Sequence, residues 1–189
     1  MKTFYHFGRR FYGVWEIKSD MPYDEICKTN LNEEQLKLLD LPFRIYHGKK
    51  QRDIICRYGD VSIEFLSQNV YDFLSQYEDI KPYLYPIHIN DVNDVYYFVH
   101  DLPNVKCINP NVQLPDTYMF EIPCFLLKED LPPLFTMSRS RLKIITPEMK
   151  DAMIKAKLTN VAFRPIYGVS SMEEYSELHR EDKLREAKD

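Results

Sequence analysis

A strand, a helix and a second strand follow one another between residues 141 and 166, and this unit constrains the fold more than any other part of the chain. Alternating apolar residues predict a strand over 141–145. Thr146 can cap the following helix, and Pro147 stands at the first helical position, where its missing N–H costs nothing. Asn160 can adopt the left-handed conformation that ends a helix, after which the alternation resumes. Because no residue of the unit is a convincing catalytic group, we interpret it as scaffold.

Ten positions of this unit form a wider pattern, with a hydroxyl, a lysine and small apolar residues on the helix and a Phe-x-Pro ending on the second strand. They are Ile144, Ile145, Thr146, Met149, Lys150, Ala152, Asn160, Val161, Phe163 and Pro165. The pattern resembles the closing part of the bacterial immunity-protein family numbered eleven, whose members accompany polymorphic toxins. Asn160 stands where that family has glycine, a change that a left-handed turn tolerates.

The resemblance extends upstream and covers roughly residues 59–166. Phe65-Leu66-Ser67 and Asp72-Phe73-Leu74 are similar to a strand and a helix of the family, and Tyr85-Pro86-Ile87 to the strand after them. The stretch from Asp101 to Pro110 lacks a serine that the family often has there. The resemblance implies a protein that binds a cognate toxin in the producing cell and blocks it without catalysis. It leaves the activity of the toxin unspecified.

The apolar periodicity predicts a single α+β domain with a largely antiparallel sheet and a few covering helices. The predicted strands are 61–66, 85–89, 95–100, 118–127, 141–145 and 161–164, and the predicted helices are 68–77 and 147–158. Asn32 and Gln35 predict a capping box at the start of a further short helix. We expect residues 59–168 to form the family-like core, residues 1–58 an aromatic-rich segment packed on it, and residues 169–189 a charged helix.

The charge of the chain is unevenly distributed, although the net charge is only −4. Residues 60–130, which we call the acidic band, carry twelve acidic and three basic side chains. A strong negative field disfavours nucleic acid as a partner and favours a basic protein. The alternative is that these carboxylates only solvate the surface and keep the protein soluble.

The most accessible part of the acidic band is expected around a β-hairpin formed by residues 85–89 and 95–100. Its turns would expose carboxylates, and neighbouring tyrosines would supply apolar anchors, since exposed charges alone give little net affinity. The predicted partner-binding residues are Glu78, Asp79, Asp91, Asp94, Asp101, Tyr83, Tyr96 and Tyr97. The alternative is that these side chains belong to ordinary solvated turns.

A second class of function, a small enzyme or ligand-binding protein, would need a site assembled from dispersed residues. His88, His100, Asp101 and Cys107 are the first group to consider, because the two histidines lie on the predicted hairpin and could face each other. A metal held by these histidines and neighbouring aspartates lacks a third ligand with diagnostic spacing. The aspartates also lack the glycine and the terminal glutamate of a calcium loop. We therefore predict no metal, and the scarcity of glycine disfavours a phosphate-binding cofactor site.

The remaining features bear on location and on the N-terminal segment. Four widely spaced cysteines form no Cys-x-x-Cys pair, which favours a reducing cytoplasm. The sequence predicts neither a membrane span nor a secretory signal. His6, Arg9 and Arg10 lie among aromatic residues and could bind nucleic acid, but two arginines supply little of the charge required. A structural role as a strand pair with one buried aromatic face is favoured.

Overall fold

The structure, a computed structural model, describes residues 4–10, 13–20, 32–77, 79–105, 131–137 and 142–166, and five positions between 173 and 180. The described strands are β1 (Phe4–Arg9), β2 (Glu16–Lys18), β3 (Arg44–His47), β4 (Ile54–Arg57), β5 (Asp60–Ser67), β6 (Leu84–Ile87), β7 (Tyr96–Val99), β8 (Asn104–Val105), β9 (Leu134–Met137), β10 (Lys143–Ile145) and β11 (Val161–Ile166). The described helices are α1 (Glu33–Lys37), α2 (Gln68–Leu74) and α3 (Pro147–Lys155). Most of the described strand pairs are antiparallel, so the predicted α+β class is confirmed.

Two sheets replace the single sheet that the periodicity predicted, and that prediction is wrong. One has the strand order β11-β1-β10-β9-β8 and the other β3-β2-β4-β5-β7-β6. The chain divides into a larger unit, residues 7–102 and 151–162, and a smaller unit, residues 1–6, 103–150 and 163–189. The period of a strand shows which face is apolar but not which strand is its neighbour, so it cannot separate one sheet from two.

The six-stranded sheet of the larger unit joins its own two edges. β3 and β6 are the edge strands, and Phe43, just before β3, forms a parallel bridge to Ile89, just after β6. The Phe43 N–H donates to the His88 carbonyl at 2.9 Å, and the Asn90 N–H donates to the Phe43 carbonyl at 2.7 Å. Joining the edges satisfies backbone groups that an open edge leaves unpaired. Three of its strands come from residues 16–57, so this part of the predicted N-terminal segment is built into a sheet.

The core of this sheet is rich in aromatic and branched residues. Its buried members are Ile17, Leu39, Phe43, Ile55, Ile63, Phe65, Ile87, Ile89, Tyr96 and Phe98. Phe65 is central among them, with its ring 5.3 Å from that of Phe43 and 5.9 Å from that of Phe98. Burial of each such large side chain stabilises the fold by about 1.5–3 kcal/mol. Phe65 is therefore one of the positions where truncation to alanine should be most damaging.

The predicted hairpin is confirmed. β6 and β7 pair antiparallel, with Leu84 opposite Val99 and Ile87 opposite Tyr96. β7 pairs on its other side with β5, so the hairpin joins the sheet through β7, and β6 is the edge strand. Asp91 in the connecting turn takes a left-handed conformation (φ 64°), which aspartate tolerates better than most residues.

Local capping chemistry explains where the helices begin. The predicted capping box of α1 is confirmed, with Asn32 accepting from the Gln35 N–H at 2.9 Å and Gln35 accepting from the Asn32 N–H at 3.0 Å. Thr146 accepts from the Met149 N–H at 3.2 Å at the start of α3, also as predicted. α3 ends at Lys155, earlier than predicted. Asn160 does take the predicted left-handed conformation (φ 60°), and its side chain donates to the Ile54 carbonyl at 2.8 Å.

The smaller unit contains a second apolar cluster. Phe4, Phe135 and Ile144 are buried there, and the rings of Phe4 and Phe135 meet edge to face at 6.0 Å. Phe135 belongs to β9, a strand that the sequence analysis did not predict. The predicted strand 118–127 lies outside the described residues, and the described positions of the predicted C-terminal helix are helical. None of the described helices is long and apolar enough to cross a membrane.

Candidate functional site

The aspartates of the predicted partner surface lie at the two opposite ends of the β6–β7 hairpin. Asp91 and Asp94 are in the connecting turn, which we call the turn end. Asp79 and Asp101 flank the hairpin on the other side, the base end. All four are exposed, whereas Glu78 lies outside the described residues. The paired strands between the ends span roughly 10 Å, so the aspartates form two groups and not one continuous cluster.

The tyrosines of the predicted surface are mostly buried, and the expectation of exposed anchors is wrong for two of them. Tyr96 is fully buried in the sheet core, and Tyr97 is 9% exposed. Tyr97 stacks on Tyr71, with ring centroids 4.0 Å apart, and donates to Gln68 Oε1 at 2.8 Å. Consecutive strand residues point to opposite faces, and both faces are covered at this position. Tyr83 is half-buried and is the one predicted tyrosine with substantial exposed surface.

The two histidines of the alternative site do not face each other. His88 follows the end of β6 near the turn end, whereas the His100 N–H donates to the Tyr83 carbonyl at 3.0 Å at the base end. The Nδ1 atom of His100 is buried and has no hydrogen-bond partner among the residues that the structure describes. Burial lowers the pKa of His100, and the charge of Asp101 opposes that shift. Cys107 lies outside the described residues, and no metal-binding cluster of His, Cys, Asp and Glu occurs within the described ranges.

A polar cleft of about 300 Å³ lies beside the turn end of the hairpin. Four stretches of the larger unit line it: the residues before β4, the junction of β5 and α2, the start of β7 and the loop after α3. Its lining residues are Gln51, Arg52, Asp53, Ser67, Gln68, Asn69, Asp94, Tyr96 and Thr159. Asp53, Ser67 and Tyr96 are buried and form its floor, whereas Arg52, Asn69 and Asp94 are exposed at its rim. Asp94 and Tyr96 were predicted from the sequence as partner-binding residues, whereas the cleft itself was not predicted.

The floor of the cleft is organised by the Asp53 carboxylate. Its Oδ1 accepts from Ser67 Oγ at 2.6 Å and from Asn69 Nδ2 at 3.1 Å. Its Oδ2 accepts from the Thr159 N–H at 2.6 Å and from Thr159 Oγ1 at 2.7 Å. Burial raises the pKa of Asp53, but the bonds from Ser67, Thr159 and Asn69 together outweigh burial and hold the pKa below its ordinary value. Asp53 is thus an ionised clamp that joins three segments and has its acceptor positions filled.

The rim of the cleft carries a second carboxylate with a different environment. The Gln51 side-chain amide donates to Asp94 Oδ2, and the Tyr96 hydroxyl donates to the Arg52 carbonyl at 3.0 Å. Burial raises the pKa of Tyr96 to about 12, a hydrogen bond with Gln51 opposes the rise, and the charges of Asp94 and Asp53 add to it. Two carboxylate charges therefore act on the Tyr96 hydroxyl. The cleft is suited to hold a polar or positively charged group and not an anion.

Arginine and cysteine side chains of the N-terminal segment have structural partners. The Arg9 N–H donates to Glu64 Oε1 at 2.7 Å, and its guanidinium lies 3.1 Å from the sulfur of Cys56. Cys56 is fully buried. These contacts give Arg9 a structural role. The predicted strand pair is wrong, because β1 belongs to the five-stranded sheet and β2 to the six-stranded sheet.

Comparison with protein-family models, with curated proteins and with solved structures found no match to this chain.

Proposed function

We propose that this chain is an immunity protein that binds one cognate toxin in the cytoplasm of the producing cell and neutralises it by stoichiometric binding, without catalysis. The observation that carries the proposal is the turn end of the hairpin, where Asp91 and Asp94 are both exposed next to an open polar cleft. The resemblance of residues 59–166 to the immunity-protein family supports the same function. The exposed carboxylates of the turn end favour a basic protein as the partner.

The hairpin gives the two aspartates of the turn end a fixed position. β7 is paired on both sides, and the Phe43 bridge holds Ile89 immediately before the turn. A surface that is already ordered before binding loses little conformational entropy when the partner docks. Exposed charges on such a surface accelerate encounter with an oppositely charged partner, and this acceleration weakens as salt screens the field.

The experiment that tests the proposal is capture of the partner from the producing cell. The tagged full chain should retain one basic protein at a ratio of 1:1 through washing at low salt. Expression of that protein alone should be toxic, and co-expression of this chain should restore growth. Retention of no basic protein, or toxicity that persists at full expression of the chain, would contradict the proposal.

A second function, binding of a small ligand, is favoured by the cleft itself. Its volume of about 300 Å³ lies at the lower limit of small-ligand sites, which span roughly 300–1,000 Å³. The dispersed His/Asp/Cys site is not favoured, because His88 and His100 lie at opposite ends of the hairpin. Capture of a toxin would favour the immunity function over small-ligand binding. Saturable binding of a metabolite, with no toxin captured, would favour small-ligand binding.

A further inference from the structure

The cleft beside the turn end has more negative than positive charge. Asp53 in the floor and Asp94 at the rim are both carboxylates, and Arg52 is the one cationic side chain among the residues that line the cleft. Neither aspartate lies within ion-pair distance of a lysine or arginine in the part of the chain that the structure describes. The donors that bind the two carboxylates within the described residues are all uncharged, so a cation is favoured in the cleft.

The two carboxylates have different capacity for a new partner. Each oxygen of Asp53 already accepts two hydrogen bonds, so Asp53 contributes its charge but no free acceptor position. Asp94 is exposed and accepts from Gln51 through Oδ2, which leaves Oδ1 for a partner. The Gln51 carbonyl oxygen belongs to the same amide that donates to Asp94, so a second acceptor lies next to that carboxylate. Two adjacent acceptors suit a planar donor with parallel N–H groups.

We propose that this cleft receives the guanidinium group of an arginine side chain from the protein partner, with Asp94 and Gln51 as the acceptors. The inference rests on the proposed function, since it names the group through which the toxin is recognised. The small volume of the cleft fits one long side chain better than a larger molecule. Arginine is also the basic residue that is best suited to buried contacts at interfaces, because its charge is delocalised and weakly hydrated.

Two aspartates of one turn provide a matched pair of variants for the test. Asp91 and Asp94 have the same charge and are both exposed, three residues apart, but only Asp94 lines the cleft. If the turn end acts only through its long-range field, Asp91→Asn and Asp94→Asn should weaken binding equally. If the cleft holds a guanidinium, Asp94→Asn should weaken binding about tenfold or more, as expected for loss of a hydrogen bond between charged groups, and Asp91→Asn about twofold.

The first measurement uses a small probe and needs no toxin. The labelled full chain is titrated with N-acetyl-argininamide, and NMR follows the backbone amides and the side-chain amides of Gln51, Gln68 and Asn69. Shifts confined to the cleft, and at least about tenfold weaker binding of the uncharged isostere N-acetyl-citrullinamide, are the expected result. Equal shifts with the citrulline compound, or shifts centred elsewhere, would overturn the assignment of the cleft. An equivalent lysine compound should bind more weakly, because an ammonium group cannot donate to two acceptors in one plane.

The second measurement repeats the comparison with the captured toxin and separates the two proposals. Thermal melts first check that both variants fold as the parent does. A larger loss of toxin affinity with Asp94→Asn than with Asp91→Asn supports the cleft as the arginine site. Equal losses overturn the cleft but leave the proposed function standing. Binding of N-acetyl-argininamide without any toxin capture would assign the cleft to a free small cation and overturn both proposals.

Discussion

The two ends of the β6–β7 hairpin each expose two aspartates, but their surroundings differ. At the turn end, Asp94 borders a polar cleft whose floor is set by the buried Asp53 clamp. At the base end, Asp101 lies next to His100, whose Nδ1 atom is buried and finds no partner within the described part of the chain. The two ends thus carry the same number of exposed aspartates. At the turn end one of them borders a cleft with an ordered floor, whereas at the base end one of them lies next to a histidine with a buried nitrogen. The comparison shows that an acidic run does not define a binding site until the fold supplies the surface beside it.

The largest difference expected between the two ends is in stability. Asp53→Ala removes the acceptor of four hydrogen bonds and leaves the donors of Ser67, Asn69 and Thr159 without their partner. Loss of a buried, hydrogen-bonded charge should lower the free energy of unfolding by about 3 kcal/mol. Urea unfolding monitored by circular dichroism measures this change.

The matched control for that substitution is Asp79→Ala at the base end. Asp79 is exposed, and no comparable set of donors surrounds it within the described ranges, so its removal should change the free energy of unfolding by less than about 0.5 kcal/mol. Equal effects of the two substitutions would show that Asp53 does not organise the floor of the cleft.

The local features of the fold could be predicted from the sequence, whereas the contacts between residues far apart in the chain could not. The capping box of Asn32 and Gln35 and the β6–β7 hairpin follow from residues close in sequence, and both are confirmed. The bond from Thr159 to Asp53 joins residues 106 positions apart, and no local pattern indicates it. Asp53 stands just before a strand and Ser67 just before a helix, and each of these positions is ordinary when it is considered by itself. The cleft appears only when the fold brings them together.

The errors about the tyrosines and the sheet have a related cause. Alternation of apolar and polar residues predicts a strand with one buried face and one solvent-exposed face, as in a sheet that is covered on one side. β7 lies between β5 and β6 and is covered on both faces, so Tyr96 and Tyr97 are buried although they are adjacent. The four described aspartates of the predicted binding surface are exposed, but two of its aromatic anchors are buried. Whether the remaining residues contact a toxin stays a prediction.

A second difference between the ends is expected in the rate of association with the toxin. Asp91→Asn with Asp94→Asn neutralises the turn end, and Asp79→Asn with Asp101→Asn neutralises the base end. Asparagine tolerates the left-handed backbone of Asp91 and Asp101, so both double variants should fold. If the turn end meets the partner, its variant should associate about tenfold more slowly at low salt, and the base-end variant about twofold more slowly.

Stopped-flow kinetics at several salt concentrations measure these rates. Raising the salt should reduce the difference between the turn-end variant and the parent, because screening weakens the field that the substitution removes. A larger effect of the base-end variant would move the interface to Asp79, Asp101 and the half-buried Tyr83. Equal effects would indicate a field spread over the whole hairpin.

The smallest expected difference is in the response of the base end to pH. Burial lowers the pKa of His100 in the folded state, so the unfolded state takes up a proton more readily when the pH falls below the ordinary histidine value of 6.5. The free energy of unfolding should therefore decrease as the pH falls through 6.5. The contribution of His100 to this decrease should end once the pH is below its pKa in the folded state. The effect is modest because the side chain is only half-buried and Asp101 opposes the shift.

His100→Phe removes this titration and keeps an aromatic ring against Tyr85, whose ring centroid lies 6.4 Å from that of His100. The difference in unfolding free energy between variant and parent, measured at several pH values between 8 and 5, should grow in favour of the variant as the pH falls. Asp101→Asn should steepen the parent's acid sensitivity, because it removes the charge that opposes the shift. Asp94→Asn at the turn end should leave that sensitivity unchanged. A pH profile of the His100→Phe variant parallel to that of the parent would show that His100 takes up its proton equally readily in both states, and the two ends of the hairpin would then differ in the cleft alone.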